Sequence, residues 1–174
     1  IPDYTDSRFY ARSPEKKDLL EILEKLENCA KGAALATGCQ VKISEYEKGN
    51  DNTVRNLHFN EVLREKMEKY FDEEIKDVEL NKGSTDAGNF SHEIPTLHGY
   101  FKIADEGVSG HTVELRDATL TDYAFSQMKK TIAAIVEVGI EILQNDEVYE
   151  KIRKEFEESI KSGKIIPHNE LNKD

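Results

Sequence analysis

Apolar residues recur along this chain at two different periods, and the period changes where one element gives way to the next. Over residues 4–12, Tyr4, Asp6, Arg8, Tyr10 and Arg12 alternate with Thr5, Ser7, Phe9 and Ala11, the two-residue period of a strand. The period then lengthens. Leu19, Ile22, Leu23, Leu26, Cys29, Ala30 and Ala33 follow at steps of three and four, which predicts one apolar face of a helix. Ser13 as N-cap and Pro14 in the first turn give it a start, and Gly38 gives it an end. Cys29 falls on the apolar face and is expected to be a buried thiol. Alternation returns in "CQVKISEYE", with Val41 and Ile43 on one side, and "KGNDNT" reads as a turn. Residues 1–48 thus predict strand, helix, strand, half of a small α/β sandwich. One helix on two strands buries too little surface to stand alone, so further strands are expected before Ile1 or in a partner chain.

Beyond the turn the helical period dominates. "FNEVLREKMEKYF" predicts a second helix with Val62, Met67 and Phe71 among its apolar positions. "DVEL" reads as a short strand, and "LHGYFKIA" as another carrying Tyr100, Phe101 and Ile103. "LTDYAFSQMKKTIAAIVEVGIEILQ" is the longest helix, starting at Leu120 and Thr121, with a wide stripe of Ile132, Ile135, Val136, Ile140 and Leu143. "DEVYEKIRKEFEESIKSG" is a last, charge-rich helix from Asp146 to a capping Gly163, with a narrow face of Val148, Ile152, Phe156 and Ile160. The tail "KIIPHNELNKD" is polar and expected to be loosely held.

Composition narrows the partners. The chain has 174 residues, enough for one large domain or two small ones, with 34% charged and 37% apolar residues, so its core is modest. A net charge of −11 makes nucleic-acid backbones and anionic membranes poor partners and suits a cation site. The apolar run "TIAAIVEVGIEIL" carries two glutamates and is too short to span a bilayer. Cys29 and Cys39 form neither a C-x-x-C pair nor a zinc-knuckle spacing, and no signal peptide is visible. A cytoplasmic location is the expectation. The chain opens at Ile1 directly in strand-like sequence, as a piece cut from something longer would.

Candidate chemistry concentrates in "GSTDAGNFSHEIPTLHGYF", residues 83–101. Three glycines, an aspartate, an asparagine and two histidines crowd this stretch; His92 and His98 flank Pro95 and Thr96. Downstream, His111 follows Gly110 in "GVSGHTVEL", and a histidine on a Gly-rich connection suits a ligand or a base. The spacing does not complete a site. A catalytic zinc needs about three protein ligands, yet there is no H-x-H and no H-E-x-x-H. Ser84 and Ser91 lie in no nucleophile-elbow pattern, and "GSTDAG" lacks the G-K-[ST] ending of a phosphate loop. The residues by themselves give a polar loop suited to sit near a ligand, with an incomplete catalytic set.

The ordered blocks carry a resemblance. "DSRFYARS", "NCAKGAALATGCQV", "GSTDAGNFSHEIPTLHGYF" and "GHTVEL" followed by a long apolar helix resemble the C-terminal half of the zinc-dependent aminoacylase and carboxypeptidase G-type amidohydrolases, family twenty of the metallopeptidases. The nearest branch in flavour holds aminobenzoyl-glutamate hydrolase and aminoacylase-like dipeptidases. The resemblance covers about residues 1–145 and implies a two-domain enzyme. A catalytic α/β domain would hold two divalent metal ions, zinc above all, and a smaller α+β lid would close over substrate and form a homodimer. The expected fold class is therefore α/β, with residues 1–54 a remnant of the lid and 55–174 part of the catalytic domain. The implied reaction is cleavage of the amide bond of a small N-acyl amino acid, dipeptide or aminobenzoyl-glutamate-like substrate.

By the same resemblance His111 matches the family's last metal ligand, and Gly83, Ser84, Thr85 and Asn89 shape the substrate pocket. Arg8 and Arg12 share a strand face, where either suits the substrate carboxylate and a solvated face is the alternative. Asp86 is either a pocket residue or a bond to loop amides, and the roles of His92 and His98 stay open. The family's other ligands and its general-base glutamate find no match here, so this chain alone is expected to be inactive and to bind no metal pair. The alternative reading is a non-catalytic dimerisation or binding module derived from that family.

Overall fold

The structure is a computed structural model that describes residues 2–76 and 83–168. Six helices form among these residues: α1 (Lys16–Thr37), α2 (Leu57–Met67), α3 (Ala87–Ser91), α4 (Val113–Ala118), α5 (Asp122–Gln144) and α6 (Asp146–Lys161). None is long and apolar enough to cross a membrane.

The core is a three-helix contact of α2, α5 and α6. Leu63 and Met67 of α2 meet Ala134 and Val138 of α5, with Phe59, Phe71 and Ile142 packed around them. The sequence sets the crossing of α2 and α6 through one side chain. Asn56 Oδ1 accepts from the Phe59 N–H at 2.9 Å, capping α2, and its Nδ2 donates to the Ile152 carbonyl of α6 at 2.8 Å. The Glu155 carboxylate of α6 takes the next two free amides of α2, those of Leu57 and His58, at 2.8 and 2.9 Å. At the other end of α2, Lys66 pairs with Glu141 at 2.9 Å, and Lys69 and Tyr70 both donate to Glu137. These bonds hold both glutamates below the usual carboxylate range.

The α/β expectation is overturned: among the described residues the chain is all helix, with no strand. The alternating segments are there and lie side by side. Tyr10 and Tyr46 meet edge to face at 5.8 Å between centroids, and the Tyr10 hydroxyl donates to Glu47. No ladder joins them, because a two-stranded ribbon is marginal in water and needs further strands or a packed face to fix it. Residues 97–103 likewise form no strand. The segment "DVEL" lies outside the described residues.

Other details also differ. Cys29 is exposed, since the stripe of α1 that carries it is left largely uncovered: Ile22, Leu23 and Leu26 are exposed as well. Ser13 is not the N-cap of α1; its hydroxyl reaches only the Glu15 amide, at 3.5 Å. Asn52 supplies the cap from 36 residues away, its Oδ1 accepting from the Lys16 N–H at 2.8 Å. The described part of the tail is tied down, with Ile165 buried. The helix ends are as expected, Gly38 and Gly163 both taking left-handed backbone (φ 70° and 76°).

Candidate functional site

The loop that opens at Gly83 folds into the short helix α3 and is fastened along a strap, residues 49–54, by its own polar side chains. Asn89 Oδ1 accepts from the Asp51 N–H and its Nδ2 donates to the Gly49 carbonyl, both at 3.1 Å. Ser91 Oγ donates to the Gly88 carbonyl at 2.6 Å and accepts from the Val54 N–H at 2.9 Å. Gly88 lets the two backbones touch: a Cβ there would lie 1.9 Å from the Asp51 carbonyl oxygen. Before the helix, the Thr85 hydroxyl accepts from the Ala87 N–H at 3.3 Å, while Gly83 and Ser84 are exposed. Asp86 is the N-cap residue of α3 and makes no side-chain cap bond.

His92 closes the arrangement. Its side chain is fully buried. Nδ1 accepts from the Ile166 N–H at 3.0 Å, so the ring proton sits on Nε2, which donates to the Asn52 carbonyl at 3.1 Å. The imidazole is thus held neutral. Burial pushes its pKa below the ordinary histidine value, and the Lys16 ammonium adds to the shift. Lys16 is itself buried, bonded to Asp51 at 2.7 Å and to the Ile166 carbonyl at 2.9 Å. Beside it His168 meets Glu93 at 3.0 Å and Asp51 at 3.8 Å. The start of α1, the strap, α3 and residues 165–168 thus meet in one polar knot. Sequence reading left His92 open and missed Lys16, Asp51 and Asn52. One signal was available: a lysine in the first turn of a helix opposes the helix dipole and asks for a compensating partner.

His111 stands elsewhere on the chain surface, exposed, at the entry to α4. It is the one non-glycine residue with positive φ (61°) among those described. Thr112 anchors the turn behind it, its hydroxyl donating to the Ser109 carbonyl at 2.9 Å and accepting from the Leu115 N–H at 3.2 Å. A left-handed histidine is uncommon, and such conformations concentrate at functional sites. Arg8 and Arg12 are also exposed; Arg8 lies 5.4 Å from the Tyr46 ring and 3.7 Å from Asp6, and Arg12 lies 5.9 Å from the Tyr10 ring.

A metal pair does not fit the described residues by themselves. They contain no group of three or more His, Cys, Asp or Glu side chains able to hold an ion, and one imidazole falls short of the three protein ligands that catalytic zinc takes.

No protein-family model matches the chain. It is similar to two Xaa-Arg dipeptidases. It is 31% identical to that of Mus musculus over 169 residues, which are 95% of this chain and 39% of the mouse protein. It is 30% identical to that of Homo sapiens over 169 residues, 95% of this chain and 38% of the human protein. The similarity supports kinship with a dipeptidase family. The chain spans about two fifths of the length of the curated relatives it matches.

Proposed function

We propose that this chain is the working portion, or part of it, of a metal-dependent dipeptidase that releases a C-terminal basic amino acid. The observation that carries the reading is the similarity to Xaa-Arg dipeptidases along 95% of the chain. Dipeptides are the favoured substrates over aminobenzoyl-glutamate, because the relatives' names point to the former. The charge agrees: a net −11 favours approach of a dipeptide with a cationic side chain.

Within this reading His111 is one metal ligand, presented clear of the chain by its left-handed backbone. The remaining ligands come from residues outside those described. Arg8 or Arg12 holds the substrate carboxylate, for which a guanidinium fork is the matched partner. Gly83, Ser84 and Thr85 form one wall of the pocket. Asn89 serves that wall by positioning it, its amide being engaged with Asp51 and Gly49.

The test uses the protein in its complete native form. It is expected to release arginine from Xaa-Arg dipeptides, to favour them over Xaa-Glu, and to stop on chelation. His111→Ala is expected to cut turnover more than about 100-fold, since even the outer partners of a metal ligand cost 10- to 100-fold when lost. Unchanged turnover in that variant contradicts the assignment, and no release from any dipeptide contradicts the reading as a whole.

A further inference from the structure

Gln127 stands on the inner face of α5, one turn from Ala124 and one turn from Thr131, and all three are buried. It is 6% exposed, and its Oε1 is shut in without a hydrogen-bond partner, the one such side-chain atom among the described residues. Its Nε2 makes no bond among the described residues either. Thr131 shows the usual solution on this face: its hydroxyl donates to the backbone carbonyl of Gln127 at 2.9 Å. A buried amide with both ends unbonded is costly, and folded proteins hold few of them. Methionine is of similar length, forms helix as well, and would carry no such cost here.

Gln127 also lines a cavity of about 160 Å³ at the end of the core. Most of the remaining wall is apolar: Met67, the last residue of α2, Phe71 and Ile75 beyond it, and Tyr100 and Phe101. An apolar cavity of about 150 Å³ takes up a benzene ring. Three aromatic rings and a thioether suit an aromatic occupant, since rings pack edge to face or offset and sulfur favours a ring edge. The charged residues of the lining, Glu73, Glu74, Lys76 and Lys102, are two of each sign, and Lys76 lies 3.7 Å from Glu74. They cancel, so the wall selects for shape and not for charge. The unbonded amide adds one hydrogen bond to that selection. Its last torsion is soft and neither end is held, so a half-turn offers the carbonyl where the amine stood.

We infer that this cavity is a binding site for a small neutral aromatic molecule of phenol type, its ring against Met67, Phe71 and Phe101 and its hydroxyl donating to the Gln127 side-chain carbonyl. None of His111, Arg8 and Arg12 lines the cavity, so binding there is independent of the dipeptidase reading and is measured without a peptide substrate.

The test is a titration of the complete native protein, carrying ¹³C-methyl methionine, with phenol and with toluene, which matches phenol in shape and lacks the donor. Met67 lines the cavity and Met128, 37% exposed, does not, so one methyl signal follows binding and the other is its control. Met67→Leu and Met128→Leu assign the two signals. Phenol is expected to shift the Met67 methyl saturably and to leave that of Met128 in place. Gln127→Met keeps the length and removes the amide; it is expected to weaken phenol by about 5-fold or more and toluene by less than about 2-fold, the size of one net hydrogen bond. An unbonded amide contributes nothing to the fold, so the melting temperature of this variant is expected not to fall; Gln127→Leu is a second variant of the same kind. No saturable shift at Met67 in the wild type overturns the inference. So does phenol binding unchanged in both variants, or an equal loss of phenol and toluene, which assigns Gln127 to the shape of the cavity alone. A lower melting temperature in both variants shows the amide engaged within the fold and overturns it too.

Discussion

Gly88 has no room for a side chain. The nearest atoms to a Cβ there are the Asp51 carbonyl oxygen at 1.9 Å and its carbon at 2.8 Å, both backbone and unable to swing aside. Gly88→Ala is expected to cost about 1–3 kcal/mol by prising α3 from the strap; the urea midpoint reads it, and an unmoved midpoint contradicts the close approach. His92 gives the knot a pH dependence. Its folded pKa lies below the unfolded value of about 6.5. Above that value the ring is neutral in both states and its contribution is complete. As pH falls through 6.5 toward the folded value, the unfolded state binds the proton first and stability is lost. Protonation also removes the Nδ1 lone pair that receives the Ile166 amide. The protection factor of that amide, taken against its intrinsic exchange rate at each pH, is therefore expected to fall between pH 7.5 and 5, and constant protection contradicts the neutral-ring assignment. That residues 83–101 were special could be read from their Gly, Asn and His content. Their partners could not, because Lys16, the strap and Ile166 approach only after folding, and nothing local in the sequence marks them except the misplaced charge of Lys16.

At the scale of elements, helices declare themselves locally and strands do not. The stripes of α2, α5 and α6 and the stops at Gly38 and Gly163 follow from residues within a few positions of one another. Thr121 caps α5 as its place before "DYAF" suggests, its hydroxyl accepting from the Ala124 N–H at 3.2 Å. A strand is real only when a distant edge pairs with it, and the alternating segments around Tyr10 and Tyr46 meet without forming a ladder. The α1 cap shows the same limit, passing from nearby Ser13 to distant Asn52. Asn56 ties two elements with one side chain. Asn56→Ala removes a helix cap and the added bond to the Ile152 carbonyl of α6, and is expected to cost about 1–3 kcal/mol. Urea unfolding at constant slope measures it; a loss below about 0.5 kcal/mol contradicts the role given to this residue.

The whole molecule is an open one. A small core of three helices carries long exposed apolar stripes on α1 and α5, and the accessible surface exceeds that of a closed monomer by about 5,000 Å². The same incompleteness holds for chemistry, since His111 faces outward with no ligand set among the described residues. Sequence patterning marked the wide stripe of Ile132, Ile135, Val136, Ile140 and Leu143, but not that the fold buries Ala124, Gln127, Thr131, Ala134 and Val138 on another side of the same helix.

The central claim is that His111 binds a metal for peptide cleavage, and the most direct measurement is the metal content of the complete native protein with and without that imidazole. Wild-type protein and His111→Ala are dialysed against trace zinc and counted by atomic spectroscopy, with arginine release from an Xaa-Arg dipeptide followed on the same samples. The account predicts tightly held zinc in the wild type, at least one equivalent lost in the variant, and release lost with it. Equal zinc in the two proteins, with equal release, contradicts it.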